Sequence, residues 1–197
     1  DPKKCEAINA EQVRALEGAD FRDRLVPYLA DVYPDPTGET AQRPLVSAAS
    51  FDRLSVREQR ILDAAAPLIQ TRIQLLRECR DMLAFLFVSD DDLVIDDRAG
   101  ARLKDSAVDV LDAGIHALEG LGTEQWNKSH LEEVLRSAIV EGRAMPDGEG
   151  IKPRLAYGPL RVAVTGRQVS PPLFESMEIL GADSTLARLR ALRNQLG

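Results

Sequence analysis

The sequence contains little of what builds disulfide-stabilised or membrane-spanning proteins. Among its 197 residues there are only two cysteines, and aromatic residues make up 5%. No stretch of 18 residues is free of charge, and no basic segment precedes an apolar one at the start, so the sequence predicts neither a transmembrane helix nor a signal peptide. Cys5 and Cys79 lie in helical patterns, which favours two reduced thiols over a disulfide. We therefore expect a cytoplasmic protein without a membrane partner.

The residue sets that mark most enzymes and metal sites are also missing. There is no Ser/His/Asp or Cys/His arrangement, no phosphate-binding glycine loop, no dinucleotide fingerprint and no CxxC pair for zinc. His116 has Asp112 four residues before it and Glu119 three after it, but the paired Glu-x-x-His motifs of a di-metal helical bundle are absent. His130 stands beside glutamates in a pattern typical of a solvated face. We therefore assign no catalytic residue, metal ligand or cofactor to this chain.

Charge is distributed unevenly along the chain. The sequence has 25 Lys and Arg and 32 Asp and Glu, a net charge of -7. Residues 151 to 197 carry seven bases and three acids, a net of +4, so residues 1 to 150 carry -11. The bases that fall in the acid-free stretch 151 to 174 are Lys152, Arg154, Arg161 and Arg167. A basic end can attract an anion, and pairing of this end with the acidic remainder is the open alternative.

Apolar residues recur at helical spacing along most of the chain, and no alternating run of strand length appears. This pattern predicts an all-α fold. The expected helices cover residues 1–16, 20–32, 55–76 with a continuation to 88, 99–121, 123–144, 151–165, 172–180 and 184–196. Gly18 is expected to stop the first helix and Asp20 to cap the second, and Ser55 to Glu58 resembles a capping box.

Two features divide the predicted helices into halves. Residues 33–54 contain three prolines and predict a long loop. The acidic stretch at residues 89–92 then breaks the helical pattern. We predict two helical subdomains, residues 1–94 and residues 95–197.

Arg72 is the cation with the least polar expected surroundings. On the predicted long helix it lies at the edge of the apolar stripe formed by Ile69, Ile73 and Leu76. No carboxylate stands three or four residues away. Two interpretations stay open: the guanidinium reaches water or an acid on another helix, or it binds a base edge or a phosphate.

Arg161 likewise lacks an acid at helical spacing and precedes a corner at residues 166–174. The corner combines arginines, a hydroxyl, two prolines and an aromatic ring, in the residues Arg167, Ser170, Pro171, Pro172 and Phe174. Cations beside a stacking surface are what unpaired nucleobases bind. The alternative is a plain turn between helices in which Leu173 and Phe174 belong to the core.

Several motifs resemble one family over nearly the whole chain. They are KCEAINAEQVR at 4–14, AAAPLIQTRIQLLRE at 64–78, LAFLFV at 83–88, GPLRVAVTG at 158–166, SPPLFE at 170–175 and ILG at 179–181. In this order they resemble the C-terminal anticodon-binding region of bacterial glutamyl-tRNA synthetases, most closely the actinobacterial branch. The resemblance implies the two all-helical anticodon-binding subdomains of a class I aminoacyl-tRNA synthetase.

The same resemblance implies a parent enzyme that ligates glutamate to its tRNA with ATP and magnesium. The catalytic signatures of that family are absent, and the chain begins without Met, so we expect a fragment that is inactive alone and needs no cofactor of its own. The implied partner is the glutamate tRNA, with the glutamine tRNA as a possible second acceptor. The parent is expected to be a monomer.

The resemblance also implies roles for individual residues. Arg72 falls on the arginine that reads the third anticodon base, where a pyrimidine or a purine distinguishes the glutamate from the glutamine acceptor. The positions that enclose the other two bases are Arg161, Ser170, Pro171, Leu173 and Phe174. Two rival hypotheses are a helical protein-interaction module that binds no nucleic acid and, less favoured by the missing catalytic set, a complete small enzyme.

Overall fold

A computed structural model describes the backbone of residues 2–33 and 43–197, and the side chains of 9–33 and 43–197. All regular elements in these ranges are helical, which confirms the all-α prediction. The chain divides into two compact units, Asp1–Val88 (unit 1) and Ser89–Gly197 (unit 2). Their assignment to two anticodon-binding subdomains stays a prediction. Within the described ranges, no helix is both long enough and apolar enough to cross a membrane.

Unit 1 contains four α-helices in its described part. These are α1 (Pro2–Ala15), α2 (Gly18–Leu29), α3 (Val56–Ile69) and α4 (Cys79–Leu83). Short 3₁₀ turns at Phe51–Arg53, Leu76–Glu78 and Ala84–Leu86 connect them. The first residue of the predicted helix at 1–16, the side chain of Cys5 and much of the predicted loop, residues 34–42, lie outside the described residues.

The start of α2 differs from the predicted one. Gly18 opens this helix instead of stopping the previous one, and Glu17 is the N-cap residue. Asp20, the predicted cap, lies in the first turn, where its carboxylate pairs with Arg24 at 2.9 Å. An acid in the first turn is stabilised by the helix dipole. Asp20 therefore stabilises the start of α2 from the first turn and not from the N-cap position.

The predicted capping box at the start of α3 is confirmed. The backbone N–H of Glu58 donates to Ser55 Oγ, and the Glu58 carboxylate accepts from the backbone N–H of Ser55 at 2.8 Å. Glu58 also accepts from the backbone N–H and the hydroxyl of Ser47, at 2.7 and 2.6 Å. Burial alone raises the pKa of Glu58, but these hydrogen bonds to the charged form outweigh it and lower the pKa below the ordinary value.

The predicted continuation of α3 to residue 76 and beyond is wrong, because the helix ends at Ile69. Gln70 Nε2 donates to the carbonyl oxygens of Val13 and Leu16, at 3.1 and 2.9 Å, which fixes this end of α3 on α1. The N–H of Gln74 donates to the Glu78 carboxylate at 3.1 Å and not to a carbonyl one turn earlier. Local side-chain acceptors of this kind compete with helix formation.

The core of unit 1 lies between α2, α3 and α4. Its largest fully buried side chains are Phe21, Leu25, Leu29, Leu62, Ile69, Ile73, Leu83 and Leu86. Cys79 is buried among them and is unpaired in the described part of the chain. Burial raises the pKa of its thiol to about 12, so the sulfur is protonated and unreactive in the folded unit.

Unit 2 contains six α-helices. These are α5 (Asp97–Gly100), α6 (Ala107–Glu119), α7 (Lys128–Leu135), α8 (Pro153–Thr165), α9 (Leu173–Leu180) and α10 (Ala182–Leu196). The helix predicted for residues 99–121 is divided between α5 and α6. The one predicted for 123–144 is divided into a 3₁₀ turn at Thr123–Gln125, α7 and a π-helical turn at Arg136–Val140.

Helix α6 packs against α7, α8 and α10. The two carboxylates that flank His116 in sequence belong to this packing. Asp112 pairs with Arg193 at 2.8 Å and Glu119 pairs with Arg190, both arginines being on α10. These acids therefore join α6 to α10.

The end of α8 is held by residues from the acidic stretch 89–96. Arg188, buried in α10, donates from Nε to Asp90 at 2.6 Å and from Nη1 to the carbonyl of Val164 at 2.9 Å. Gly166 ends α8 in the left-handed conformation, with φ 73°, and its carbonyl accepts from Asp96 N–H at 2.8 Å. These contacts fix the point at which the chain leaves α8 for the predicted corner.

Candidate nucleic-acid interface

Helix α8 begins with a basic turn. Lys152 is the N-cap residue and Pro153 the first helical residue, a position at which proline's missing N–H leaves no helical hydrogen bond unmade. Lys152 and Arg154 are both exposed. The predicted helix at residues 151–165 is therefore confirmed, and its cations are available at its N-terminal end.

A hollow of about 970 Å³ lies beside this end of α8. Its other wall comes from the turn that follows α5. The cations that line it are Arg102, Lys104, Lys152, Arg154 and Arg161. No Asp or Glu of the described residues lines it. We call this feature, defined by these five residues, the cationic hollow.

Tyr157 gives the cationic hollow an aromatic wall. Its ring meets that of Phe174 edge to face, with centroids 5.2 Å apart and planes at 86°, a favourable aromatic geometry. Both residues are partly exposed. Burial raises the pKa of Tyr157, Glu132 raises it further and Arg136 opposes, so the phenol stays neutral at physiological pH. A neutral, partly exposed ring is a surface on which a nucleobase can stack.

Arg161 joins the cationic hollow to the predicted corner. Its Nη1 donates to Ser170 Oγ at 2.7 Å and to the carbonyl of Pro171 at 3.1 Å. Ser170 Oγ also lies 2.8 Å from the Pro171 carbonyl. The structure thus brings Arg161, Ser170 and Pro171 together, and it places the guanidinium where it holds the shape of the corner.

The remaining corner residues differ in exposure. Ser170, Pro171 and Leu173 are buried, whereas Phe174 is half-buried. Leu173 opens α9 and contributes to the core. For this residue the structure agrees with the alternative interpretation, in which the corner is a plain turn between helices. Phe174 reaches Tyr157 instead. Of the predicted corner side chains, Phe174 is the one that presents an aromatic surface.

Helix α9 is anchored beside α7, which positions Phe174. The indole N–H of Trp126 donates to the carbonyl of Met177 at 3.0 Å. Lys128 pairs with Glu175 at 2.7 Å, and its backbone N–H donates to Glu178. The side chain of Phe174 is therefore presented from a fixed helix.

Of the five cations of the hollow, only Arg161 was predicted as a site residue; Lys152 and Arg154 were noted as part of the acid-free stretch, and Arg102 and Lys104 were not singled out. Arg102 and Lys104 lie in a part of the sequence rich in aspartate, so the negative net charge of residues 1 to 150 gives no sign of a basic surface there. Arg102 Nη1 donates to Gln168 Oε1 at 2.6 Å, which ties the turn after α5 to the corner. The one signal in the sequence was the basic pair itself, Arg102 and Lys104 two residues apart, and only folding brings it to α8.

Arg72 lies in unit 1, outside any helix. It is exposed in the turn that follows α3, with its N–H bonded to the Ile69 carbonyl at 2.8 Å. Its expected position on a helical face is therefore wrong. Among the described residues its guanidinium, with five N–H donors, has no hydrogen-bond or ion-pair partner.

The described residues contain no group of three or more His, Cys, Asp or Glu side chains that could hold a metal ion. The interface contains the cations of the hollow and the rings of Tyr157 and Phe174. Its chemistry suits reversible binding of an anionic, partly aromatic ligand.

Comparison with known proteins identifies relatives over the full length of the chain. A glutamate–tRNA ligase of Kocuria rhizophila is 50% identical over 196 residues, and that of Bifidobacterium adolescentis is 47% identical over 196 residues. Each alignment covers 100% of this chain but 34% and 35% of the relative. The chain thus spans about a third of the length of the relatives it matches.

Solved structures agree on the fold. A glutamate tRNA ligase from Elizabethkingia meningosepticum superposes with a TM-score of 0.64 at 14% identity, covering 100% of this chain and 33% of that chain. At this identity the likeness concerns the fold alone. The family model described as "Anticodon binding domain" matches residues 20–193, which is most of both units. The chain therefore belongs to the anticodon-binding domain family.

Proposed function

We propose that this chain binds the anticodon of a tRNA as part of a glutamate–tRNA ligase. The observation that carries the proposal is the roughly 50% identity, over the whole chain, to ligases of that name. In this proposal glutamate, ATP and magnesium are handled by the rest of a monomeric, cytoplasmic parent enzyme. The chain itself supplies recognition of the RNA and needs no cofactor.

The physical properties of the interface in unit 2 support this function. The bases of an anticodon loop are unpaired, so they need stacking surfaces, hydrogen-bond partners and cations for the adjoining phosphates. Phe174 and Tyr157 supply partly exposed rings, and the cationic hollow supplies positive charge. In this proposal Arg161 positions Ser170 and Pro171, and the corner encloses two bases of the anticodon, with Leu173 supporting it from the core.

The exposed guanidinium of Arg72 supports its proposed role in unit 1. Because no described residue occupies its donors, they are available for the edge of the third anticodon base. An arginine that bonds a base edge in a bidentate way contributes about 1 to 3 kcal/mol of discrimination. A pyrimidine at this position would be accepted from the glutamate tRNA, and a purine would identify the glutamine tRNA.

Titration with an anticodon stem-loop tests these roles. We expect Arg72→Ala to weaken binding of the glutamate stem-loop by about 1 to 3 kcal/mol at fixed salt. The variant should lose most of the preference for that loop over one in which the third base alone is changed. Arg60→Ala, which removes an exposed arginine from α3 of the same unit, is the matched control and should bind as tightly as the unsubstituted chain.

Two results would count against the proposal. Equal weakening by Arg72→Ala and Arg60→Ala would show that only overall charge matters at Arg72. Binding that hardly depends on salt and survives competition by tRNA would instead favour the protein-interaction module.

A further inference from the structure

The cations of unit 2 fall into two groups. Outside the cationic hollow most of them are neutralised by carboxylates. The pairs are Arg188 with Asp90, Arg190 with Glu119, Arg193 with Asp112, Lys128 with Glu175, and Arg136 and Arg143 with Glu141. Five acids of this unit, Asp90, Asp112, Glu119, Glu141 and Glu175, thus neutralise six of its cations.

The hollow is different. Arg102, Lys104, Lys152 and Arg154 form no ion pair with any described carboxylate, and Arg102 meets only the neutral side chain of Gln168. Unit 2 has eighteen Asp and Glu against thirteen Lys and Arg. In an acidic unit, five cations therefore gather around one concave surface with no acid in its lining. Such a surface focuses a positive potential and attracts a polyanion.

The floor of the hollow is open. Gly158 lines it, and nothing lies within 4 Å of the position that a Cβ would occupy there. The missing Cβ relieves the clash that Pro159 would otherwise make with a preceding helical residue. It also lets a ligand approach the backbone of α8 closely.

The size and chemistry of the hollow favour a nucleic-acid strand over a small anion. About 970 Å³ is far more than a single phosphate fills, and the cations line two walls contributed by separate segments instead of converging on one point. Lysines suit phosphates as flexible point charges. The partly exposed ring of Tyr157 adds the stacking surface that single-stranded RNA uses and an acidic peptide does not need.

We propose that the sugar–phosphate backbone of the bound RNA loop runs through the cationic hollow, where Arg102, Lys104, Lys152 and Arg154 neutralise its phosphates. This inference rests on the proposed function and adds a second kind of contact to it. Base recognition belongs to Arg72 and the corner, whereas the hollow holds the backbone without regard to sequence.

Salt dependence of binding distinguishes the two kinds of contact. For a single strand, the slope of log K against log salt falls by about 0.7 for each phosphate that a cation neutralises. We expect each of the substitutions Lys104→Gln, Lys152→Gln and Arg154→Gln, made in the 197-residue chain, to reduce the magnitude of this salt-dependence slope by about 0.7. If a variant and the unsubstituted chain bind equally at about 1 M salt, a slope change of about 0.7 makes the variant bind roughly fivefold more weakly at about 0.1 M salt.

The probe is the glutamate anticodon stem-loop, with a second stem-loop of altered anticodon. The lysine and arginine variants should lose the same factor on both RNAs, because phosphates carry no sequence information. Arg143→Gln removes an exposed arginine that lies outside the hollow and should leave the slope unchanged. Thermal unfolding of each variant checks that the fold is intact.

The outcomes separate this inference from the proposed function. If the unsubstituted chain binds the stem-loop with anticodon preference but the three variants keep its affinity and salt-dependence slope, the hollow does not bind phosphates and the proposed function stands. If the parent binds neither stem-loop, both fail. If polyglutamate displaces the RNA at equal charge concentration and loses affinity through the same variants, the hollow is a general acidic-polymer site and the assignment to RNA is overturned.

Discussion

Arg161 and Ser170 are joined by a hydrogen bond of 2.7 Å between Nη1 and Oγ, across the turn that connects α8 to α9. The same nitrogen donates to the carbonyl of Pro171. Ser170 is buried, so its hydroxyl depends on protein partners. The arginine is therefore part of the structure of the corner, and substitutions here change both the stability of unit 2 and its surface.

Removing the Ser170 hydroxyl tests this relationship. We expect Ser170→Ala to lower the free energy of unfolding of unit 2 by about 1 kcal/mol or more, because the hydroxyl's hydrogen bonds with Arg161 and the Pro171 carbonyl are lost. Trp126 is the only tryptophan of the chain and lies in unit 2, so its fluorescence during urea unfolding reports this unit. Ser129→Ala, at an exposed position of α7, should change the urea midpoint little. Equal effects of the two substitutions would show that the Arg161–Ser170 bond contributes nothing.

Gly166 provides a test of how α8 ends. It combines a positive φ of 73° with a close approach, since a Cβ there would lie 2.3 Å from the carbonyl oxygen of Val94. We expect Gly166→Ala to destabilise unit 2 by about 2 kcal/mol or more. Gly148→Ala is the control, because Gly148 has φ 71° but nothing within 4 Å of its Cβ position. The difference between the two variants measures the clash, and no difference would mean that the close contact with Val94 does not exist.

The buried arginine of α10 gives a third prediction. Asp90→Asn removes the carboxylate to which Arg188 Nε donates, and Arg188 is 3% exposed. Breaking such a pair is costly because a charge stays buried. We expect the free energy of unfolding of unit 2 to fall by about 2 kcal/mol. This is less than for a fully buried pair, because the Asp90 side chain is partly exposed. Asp91→Asn, one residue further along at an exposed position, should be nearly neutral in the same fluorescence measurement.

The Glu58 carboxylate should make unit 1 sensitive to acid. Its pKa is lowered in the folded unit, so the folded state keeps the charge at a lower pH than the unfolded state does. The stabilisation is complete above the ordinary pKa of glutamate and is lost as the pH falls through the lowered value. Glu58→Gln should therefore lose about 2 kcal/mol at neutral pH, and its difference from the parent should shrink as the pH falls.

Thiol labelling of Cys79 measures this effect in unit 1. The buried thiol, with a pKa raised to about 12, reacts only when the unit opens. In a Cys5→Ser background, Glu58→Gln should accelerate labelling at neutral pH, whereas Gln125→Ala in unit 2 should not. Identical labelling rates in the unsubstituted chain and Glu58→Gln would contradict the stabilising role of the hydrogen bonds that Ser47 and Ser55 donate to the Glu58 carboxylate.

Local signals predicted the ends of several helices. The Ser55 capping box marks α3 because its donors and acceptors are three residues apart in sequence. The predicted end of α8 at residue 165 likewise agrees with the structure, where Gly166 follows in the left-handed conformation that ends helices, whereas the helix starts at Pro153 and not at residue 151. Such signals depend on neighbouring residues alone, so they can be recognised without knowledge of the fold.

Interactions between distant residues could not be predicted in this way. The apolar spacing continues past Ile69 to the buried Ile73, yet the helix stops there, as Gln70 bonds to α1 and Gln74 to Glu78. The acid-free segment at residues 151–174 indicated a basic end of the chain, but it did not predict a hollow. Arg102 joins it only because the turn after α5 folds against the corner, a contact between residues 66 positions apart.

Equilibrium titration of the 197-residue chain with two RNAs at one salt concentration shows whether this chain reads an anticodon. One is the glutamate anticodon stem-loop, and the other has the same stem and loop length with all three anticodon bases replaced. We predict tighter binding to the first by at least about 1 kcal/mol, since each well-placed base contact contributes about 1 to 3 kcal/mol. Equal affinity for the two RNAs would contradict the account.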